Sequence, residues 1–226
     1  MNAIRNLLAL IGLLAIVALV WAVKTWEPVV REFRPMWSHY QALSDEDKAR
    51  IRNVVVELDR AIQEKAFDEG AFDTYLEMAE NLLKTRNAAE ATVWKVPVEE
   101  GLSAEEVDQT MKMVANEHNI KNVGELPLYK EVQAITGNPH RVVKIYMFCN
   151  ALTASRMLEY SDAFSAYLPC RVAMVEDKQG KLWLYSLNMD MMIHGGEPLP
   201  PALKKEAEGV KEIILDIMKR GAEGDF

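Results

Sequence analysis

The pattern of hydrophobic positions changes twice along the chain, and each change predicts a different kind of structure. Residues 7–23 read LLALIGLLAIVALVWAV and contain no charged or strongly polar side chain. From residue 44 onward, apolar residues recur every three or four positions, which is typical of amphipathic helices. After residue 90, short β-rich runs alternate with further helical stripes, which indicates a mixed α+β body.

The apolar run predicts one transmembrane helix that tethers the rest of the chain to a bilayer. As a helix it would be about 25 Å long, which is at the short end for a membrane span. A cleaved signal peptide is the alternative, but no small-x-small cleavage site follows the run. The anchor residues that we single out, with two tryptophans suited to the interfacial belt, are Leu7, Leu14, Val20, Trp21 and Trp26.

The orientation of this anchor depends on two signals that conflict. One basic residue precedes the apolar run and three follow it closely, and this excess favours a cytoplasmic body. A short N-terminal tail with a single arginine is, however, typical of a signal anchor, which favours a body on the outer side. We adopt the second interpretation and expect a single-pass protein of the bacterial inner membrane with a periplasmic body.

Residues 27–88 predict a juxtamembrane connector and a helical hairpin. Ser44, followed by three acidic residues, predicts a helix start because a serine cap and negative charges stabilise the first turn. The apolar face of this first helix consists of Ile51, Val54, Val55, Leu58 and Ile62. After a break at Gly70, the face of the second consists of Phe72, Leu76, Ala79, Leu82 and Leu83. We interpret the pair as a packing or docking module that follows the anchor of residues 1–26.

Residues 89–226 predict one α+β domain, an antiparallel sheet with helices packed on one face. Strands are predicted at residues 91–98, 142–148, 170–176 and 181–187, the last two joined by a hairpin turn over residues 177–180. Helices are predicted after the capping box of Ser103 and Glu106, over residues 127–135, and from the pair Pro200–Pro201 to Gly221.

Composition narrows the range of functions. The formal net charge of −8 argues against a nucleic-acid partner, because phosphate binding needs clustered lysine and arginine. Two cysteines in 226 residues do not make a disulfide scaffold. The sequence contains no Gly-rich phosphate loop, HExxH or GxSxG motif, so it predicts no enzyme of those classes, and we expect no catalytic residue.

Two features of the sequence carry candidate chemistry. Cys149 follows one predicted strand and Cys170 begins another, which leaves a disulfide, two inert thiols, or a ligand or redox pair as alternatives. The segment NMDMMIHGG, residues 188–196, gathers thioethers and an imidazole, which suit Cu(I) or an axial haem pair. The candidate metal ligands are Cys149, Cys170, Met189, Met191, Met192 and His194.

A structural interpretation of the same segment competes with the metal site. Met189 and Met191 alternate as the residues of a strand do, and methionine fills irregular cores well. Gly195 and Gly196 suggest a turn with unusual dihedral angles. We prefer this interpretation, so no cofactor is expected, and copper or haem is the alternative.

Four stretches of the body resemble a known family. They are KIYMFCN at residues 144–150, YLPCRVAMVEDKQG at 167–180, NMDMMIHGG at 188–196 and GAEGDF at 221–226. Over about residues 91–226, the chain resembles the domain of unknown function family numbered 302, in its membrane-anchored bacterial form. The resemblance implies a compact α+β fold that tends to self-associate, and it implies no established activity.

The sequence therefore predicts a membrane-anchored, non-enzymatic accessory or assembly subunit of a bacterial membrane complex. Its expected partners are the lipid bilayer, through the N-terminal helix, and either further copies of itself or a larger membrane protein complex. The alternative is a periplasmic redox, soft-metal or haem-binding protein that uses Cys149, Cys170 and the cluster from Met189 to His194.

Overall fold

The computed structural model describes residues 26–27, 31–32 and 34–225. Within this part of the chain, no helix combines the length and the apolarity needed to cross a bilayer. The predicted anchor over residues 7–23, with Leu7, Leu14, Val20 and Trp21, lies outside the described residues. Trp26 lies within them and is exposed.

The chain divides into two compact units, and the boundary lies between Gln63 and Glu64. In the first unit, residues 34–42 are helical, and helix α1 follows over Asp45–Gln63. Ser44 caps α1 as predicted, because its Oγ accepts a hydrogen bond from the Asp47 backbone N–H at 3.1 Å. None of the side chains of α1, all of which the structure describes, is buried.

The second unit contains a five-stranded sheet and the remaining helices. In chain order, its elements are α2 (Ala71–Thr85), α3 (Ala88–Ala91), β1 (Val93–Pro97), α4 (Ala104–Glu117), β2 (Lys121–Leu126), α5 (Leu128–Thr136), β3 (Val143–Cys149), α6 (Ala151–Tyr160), a 3₁₀ turn (Asp162–Ala166), β4 (Cys170–Glu176), β5 (Leu182–Leu187), α7 (Asp190–His194) and α8 (Pro201–Glu223). The two helices of the predicted hairpin are α1 and α2, and they fall in different units.

All neighbouring strands of the sheet are antiparallel, in the order β1-β5-β4-β3-β2. The α+β class and the antiparallel sheet are thus confirmed. Strand β4 is central, and its first residue, Cys170, lies opposite Phe148 on β3. Because Cys149 follows Phe148 directly, this register brings the two cysteines of the chain to the same end of two paired strands.

The hydrophobic core lies where α4 and α8 pack against each other and against the sheet. The capping box of Ser103 and Glu106 begins α4 as predicted, with Ser103 Oγ accepting from the Glu106 N–H and the Glu106 carboxylate accepting from the Ser103 N–H. Residues that are no more than 2% exposed at this junction include Val107, Met111, Val114, Tyr146, Phe148, Val172, Met174, Leu184, Ile214, Ile217 and Met218.

The structure differs from the sequence analysis at the end of the last helix and at strand β2. The last helix does not end at Gly221 but continues to Glu223, and Gly224 terminates it with a φ of +67°. Gly221 is instead a packing residue, buried where α8 meets Met111 of α4. Strand β2 was not predicted, because half of the residues in its sequence, KNVGEL, are polar. It lies at the edge of the sheet, where Lys121 and Glu125 are exposed.

Candidate functional site

A small pocket, called the sulfur pocket here after the cysteines and methionines among its lining residues, lies at the end of β3 and the start of β4. It has a volume of about 20 Å³, and residues of α6, of α8 and of the beginning of α7 also line it. The five sulfur-containing residues among those that line it are Cys149, Met157, Cys170, Met189 and Met192. Four of the six candidate ligands predicted from the sequence therefore share one pocket, and Met157, on α6, is an addition that the sequence did not suggest.

The helical conformation of α7 explains which methionines face this pocket. Residues three apart on a helix lie on the same side, as Met189 and Met192 do here, whereas Met191 is turned by about 200° from Met189. The prediction that Met189 and Met191 alternate as strand residues was thus wrong. Gly195 was also misjudged, since its φ of −74° is ordinary.

His194 is not among the residues that line the pocket. Its Nδ1 donates a hydrogen bond to Asp68 Oδ1 at 2.9 Å, and its Nε2 lies 3.9 Å from Asp190 Oδ1. Among the described residues, no group of three or more His, Cys, Asp or Glu side chains is arranged to hold a metal ion.

Two of the polar side chains that line the pocket make hydrogen bonds with neighbouring groups. Asn150 caps α6, and its Oδ1 accepts from the backbone N–H groups of Leu152 and Thr153. The hydroxyl of Thr153 donates to Glu206 at 3.2 Å.

Both thiols are free in the structure, and burial keeps them protonated. Burial raises the pKa of Cys149, and burial together with the charge that Cys149 would carry raises the pKa of Cys170 to about 11. A thiol with a raised pKa is a poor nucleophile, because the thiolate is the reactive form. The pair is therefore unsuited to covalent catalysis at neutral pH.

Asp68 forms a second polar centre, which the sequence did not reveal. Its side chain is only 2% exposed, and it accepts hydrogen bonds from Lys204 at 2.6 Å, from the Gly70 N–H at 2.9 Å and from His194. Burial alone would raise the pKa of Asp68, but these three donors hold it at about 2. These hydrogen bonds connect the start of α2 to α7 and α8. The residues of α7 and α8 that take part lie more than 100 positions from Asp68, so no short sequence motif could predict the contacts.

A closed ring of charges lies where α4 meets β2 and β3. The lysines Lys112 and Lys144 each contact both Asp108 and Glu125, with distances that include 2.8 Å from Lys112 to either carboxylate. The buried hydroxyl of Tyr146 donates to Asp108. Burial and the charge of Asp108 raise the pKa of Tyr146. The pKa of Asp108 is lowered, because the hydrogen bonds from the two lysines outweigh the effect of burial, which alone would raise it. Two positive and two negative charges cancel, so we interpret the ring as structural.

Replacing Asp108 with asparagine should lower the free energy of unfolding by about 1 kcal/mol. The loss is modest because both lysines are partly exposed and still contact Glu125. Glu105→Gln, an exposed position on the same helix, is the matched control and should change stability little. Urea unfolding of the full chain, followed by near-UV circular dichroism, measures both. Equal effects of the two substitutions would show that the ring does not stabilise the contact between helix and sheet.

One family model matches residues 94–221, which is more than half of the chain, and its description is Domain of unknown function DUF302. The chain belongs to the DUF302 family. This confirms the resemblance seen in the sequence. The membrane-anchored form of the family stays a prediction.

The DUF302 match contains the sulfur pocket and the charge ring, whereas α1, α2 and Asp68 precede it. Among solved structures, the chain is similar to the crystal structure of uncharacterized conserved protein DUF302 from Bacillus stearothermophilus. The two are 16% identical, with a TM-score of 0.47 over 57% of this chain and 97% of that one. No curated protein matches the chain.

The segment that precedes the DUF302 match exposes unusually apolar surface. On α1, the predicted apolar face is present but uncovered, with exposed fractions of 66% for Val54, 58% for Val55 and 63% for Ile62. Helix α2 shows a comparable stripe, in which Phe72 is 74% and Leu83 is 79% exposed. Contiguous apolar surface of this kind marks an interaction site, because leaving it in water is unfavourable.

An open apolar groove of about 470 Å³ adds to this surface in the first unit. Trp37 and Tyr40 stack beside it, with ring centroids 5.5 Å apart, and Ile51 connects it to the exposed face of α1. Aromatic side chains and methionine are enriched at protein interfaces. The groove and the face of α1 are continuous candidates for contact with another protein.

Proposed function

We propose that this DUF302 protein is a non-enzymatic accessory or assembly subunit of a bacterial membrane complex. The observation that carries the proposal is the uncovered apolar face of α1, formed by Ile51, Val54, Val55, Leu58 and Ile62. The uncharged run over residues 7–23 supports the anchor, and the signal-anchor character of the N-terminus supports a periplasmic body.

The shape of this face favours a helix of another protein chain as its partner. At about 100° per residue, its five positions fall within one narrow stripe, which is the pattern of a helix that packs against a second helix. Acidic and basic residues both border the stripe, as the ion pair of Arg60 with Glu57 illustrates. Mixed charge favours a protein partner over anionic lipid, which attracts predominantly basic helices.

Substituting Val55 with glutamate should disrupt the assembly. Val55 is the third of the five stripe positions along α1, so a charge there must be desolvated when the partner binds, which weakens association by about 100-fold or more. Val56→Glu is the matched control, because Val56 is 52% exposed, follows Val55 directly, and points about 100° away from it.

The measurement is light scattering and cross-linking of the full chain purified from its native membranes in mild detergent. We expect a defined oligomer or a stable complex for the unaltered protein and for Val56→Glu, and a free single chain for Val55→Glu. A monomer without partners in all three preparations contradicts the proposal. Equal assembly by both variants also contradicts it, because it would remove α1 from the contact.

The predicted anchor and its sidedness are tested separately. The full chain should remain with the membrane after alkaline extraction, and external protease should digest its body in spheroplasts. Release at high pH contradicts the anchor, and digestion only after the membrane is permeabilised contradicts the periplasmic orientation.

A further inference from the structure

The apolar groove of the first unit lies against the helical residues 34–42, which precede α1. Four of the residues that line it, Met36, Trp37, Tyr40 and Leu43, recur at positions that fall on one side of a helix. Met36 is 61% and Trp37 is 59% exposed, although both side chains are large and apolar. Such a face is unfavourable in water and indicates that another apolar surface covers it.

The charge of this segment differs from that of the rest of the chain. Residues 33–44 read FRPMWSHYQALS and contain Arg34 but no aspartate or glutamate, whereas the net charge of the whole protein is −8. The acidic residues begin at Asp45, the first residue of α1. Anionic lipid headgroups repel acidic segments and attract basic ones. The segment therefore fits a lipid surface, in contrast to α1, whose mixed charge favours a protein partner.

Two polar side chains of the segment form hydrogen bonds within it. Ser38 Oγ donates to the carbonyl oxygen of Pro35 at 2.7 Å, and His39 Nδ1 donates to the same oxygen at 2.7 Å. These groups keep a hydrogen-bond partner when water is withdrawn, which lowers the free-energy cost of moving the segment towards lipid.

Trp37 and Tyr40 are residue types that favour the boundary between lipid and water. Their rings stack, with centroids 5.5 Å apart. Tryptophan and tyrosine are enriched at this boundary because each combines an apolar ring with a polar group that stays hydrated. The groove beside them has a volume of about 470 Å³, which is enough for part of an acyl chain.

The chain that precedes the segment places it within reach of a bilayer. The uncharged run that we interpret as the anchor ends at Val23. From Val23 to Trp37 the chain spans about 21 Å at a helical rise and about 50 Å at full extension. Pro28 and Pro35 lie between them, and proline is where helices begin or bend. The segment can therefore run along the membrane surface instead of continuing the direction of the span.

We propose that residues 34–43 lie in the headgroup region of the bilayer, where Met36, Trp37, Tyr40 and Leu43 contact the lipid and an acyl chain enters the groove. The proposal rests on the anchor over residues 7–23 that belongs to the proposed function. It adds a second contact with lipid and leaves the stripe of α1 beyond Ile51 to the protein partner.

The test is lipid quenching of Trp37 in the full chain, reconstituted in vesicles of phosphatidylcholine and phosphatidylglycerol. The chain has five tryptophans, so the signal of Trp37 is the difference in emission between the unaltered protein and Trp37→Phe. We expect lipids brominated near the headgroup end of the acyl chain to quench most of this signal, and acrylamide in the water to quench little of it. Trp94 packs against the core of the DUF302 domain, so the difference signal from Trp94→Phe is the control and should not respond to brominated lipid.

A pair of charge variants tests which side of the segment faces the lipid. Met36→Asp should reduce the lipid quenching of Trp37 by about 2-fold or more, because a carboxylate is costly to remove from water and is repelled by anionic headgroups. Ser38→Asp is the matched control, since Ser38 is turned by about 200° from Met36 and should leave the quenching unchanged.

Three results would overturn the lipid contact. Quenching of Trp37 by acrylamide but not by brominated lipid would show that it faces water, and resistance to both would show that a protein covers it. Equal lipid quenching in Met36→Asp and Ser38→Asp would contradict the proposed face.

The lipid contact and the proposed function can fail separately. Val55→Glu changes only α1 and should show normal lipid quenching of Trp37, and alkaline extraction tests the anchor by itself. A chain that stays in the membrane at high pH and needs Val55 to assemble, but whose Trp37 is not quenched by brominated lipid, would refute the lipid contact alone.

Discussion

Replacing Asp68 with asparagine should lower the free energy of unfolding of the second unit by about 3 kcal/mol. The carboxylate of Asp68 is 2% exposed and compensates Lys204, and it also accepts from Gly70 and His194. Asparagine preserves the size of the side chain but removes the charge, which leaves the Lys204 ammonium facing a neutral amide. Glu69→Gln, at the exposed neighbouring position, is the control and should change stability little.

The free energy of unfolding lost in the Asp68→Asn variant should become smaller as the pH falls. The pKa of Asp68 is about 2 in the folded protein and about 3.8 in the unfolded chain, so the folded state binds this proton less readily. The stabilisation is therefore complete above about pH 4 and disappears as the pH falls towards 2. Urea unfolding at several pH values measures it. A difference between the unaltered protein and Asp68→Asn that does not narrow below pH 4 would contradict this account.

Gly221→Ala should destabilise the protein by about 2 kcal/mol, although alanine is normally the better helix former. A Cβ atom at Gly221 would overlap Met111 Cγ and lie 3.5 Å from Leu184 Cδ1. Met111 is fully buried, so it cannot move aside without disturbing the junction of α4, α8 and the sheet. The free-energy cost of overpacking at this position therefore exceeds the gain in helix propensity from alanine.

Gly209→Ala on the same helix is the matched control, and its effect should have the opposite sign. Nothing lies within 4 Å of a Cβ atom at Gly209, so alanine there should stabilise α8 by about 0.5–1 kcal/mol. Thermal unfolding of the two variants and of the unaltered protein measures both changes in stability. Stabilisation by both substitutions would show that α4 and α8 are not in close contact at Gly221.

Elements with strong local signals were predicted well. The capping box at Ser103 and Glu106 begins α4, and Gly137 ends α5 with a φ of +68°. The turn over residues 177–180 joins β4 and β5, with Gly180 at a φ of +80°. Each of these features depends on hydrogen bonds or dihedral angles within a few residues, so neighbouring residues in the sequence are sufficient to specify it.

Features that depend on distant contacts were predicted partly or not at all. The sequence identified Cys149, Cys170, Met189 and Met192 as soft ligands, and the structure places them around one pocket. It assigned His194 to the same cluster, because this imidazole is only two residues from Met192 in the sequence. In the fold, the His194 side chain donates a hydrogen bond to Asp68 instead.

The sequence by itself determined most of the elements after residue 90 and the apolar run over residues 7–23, because these follow from periodicity, caps and composition. It also indicated the family, through the resemblance of four short stretches. Only the tertiary structure decided that β2 pairs with β3 as an edge strand, that Gly221 packs against Met111 instead of ending α8, and that Met157 of α6 lines the same small pocket as Met189 and Met192. The physical reason is the same in each case. Strand pairing, helix packing and pocket composition are set by contacts between residues far apart in the chain, and local pattern carries little information about such contacts.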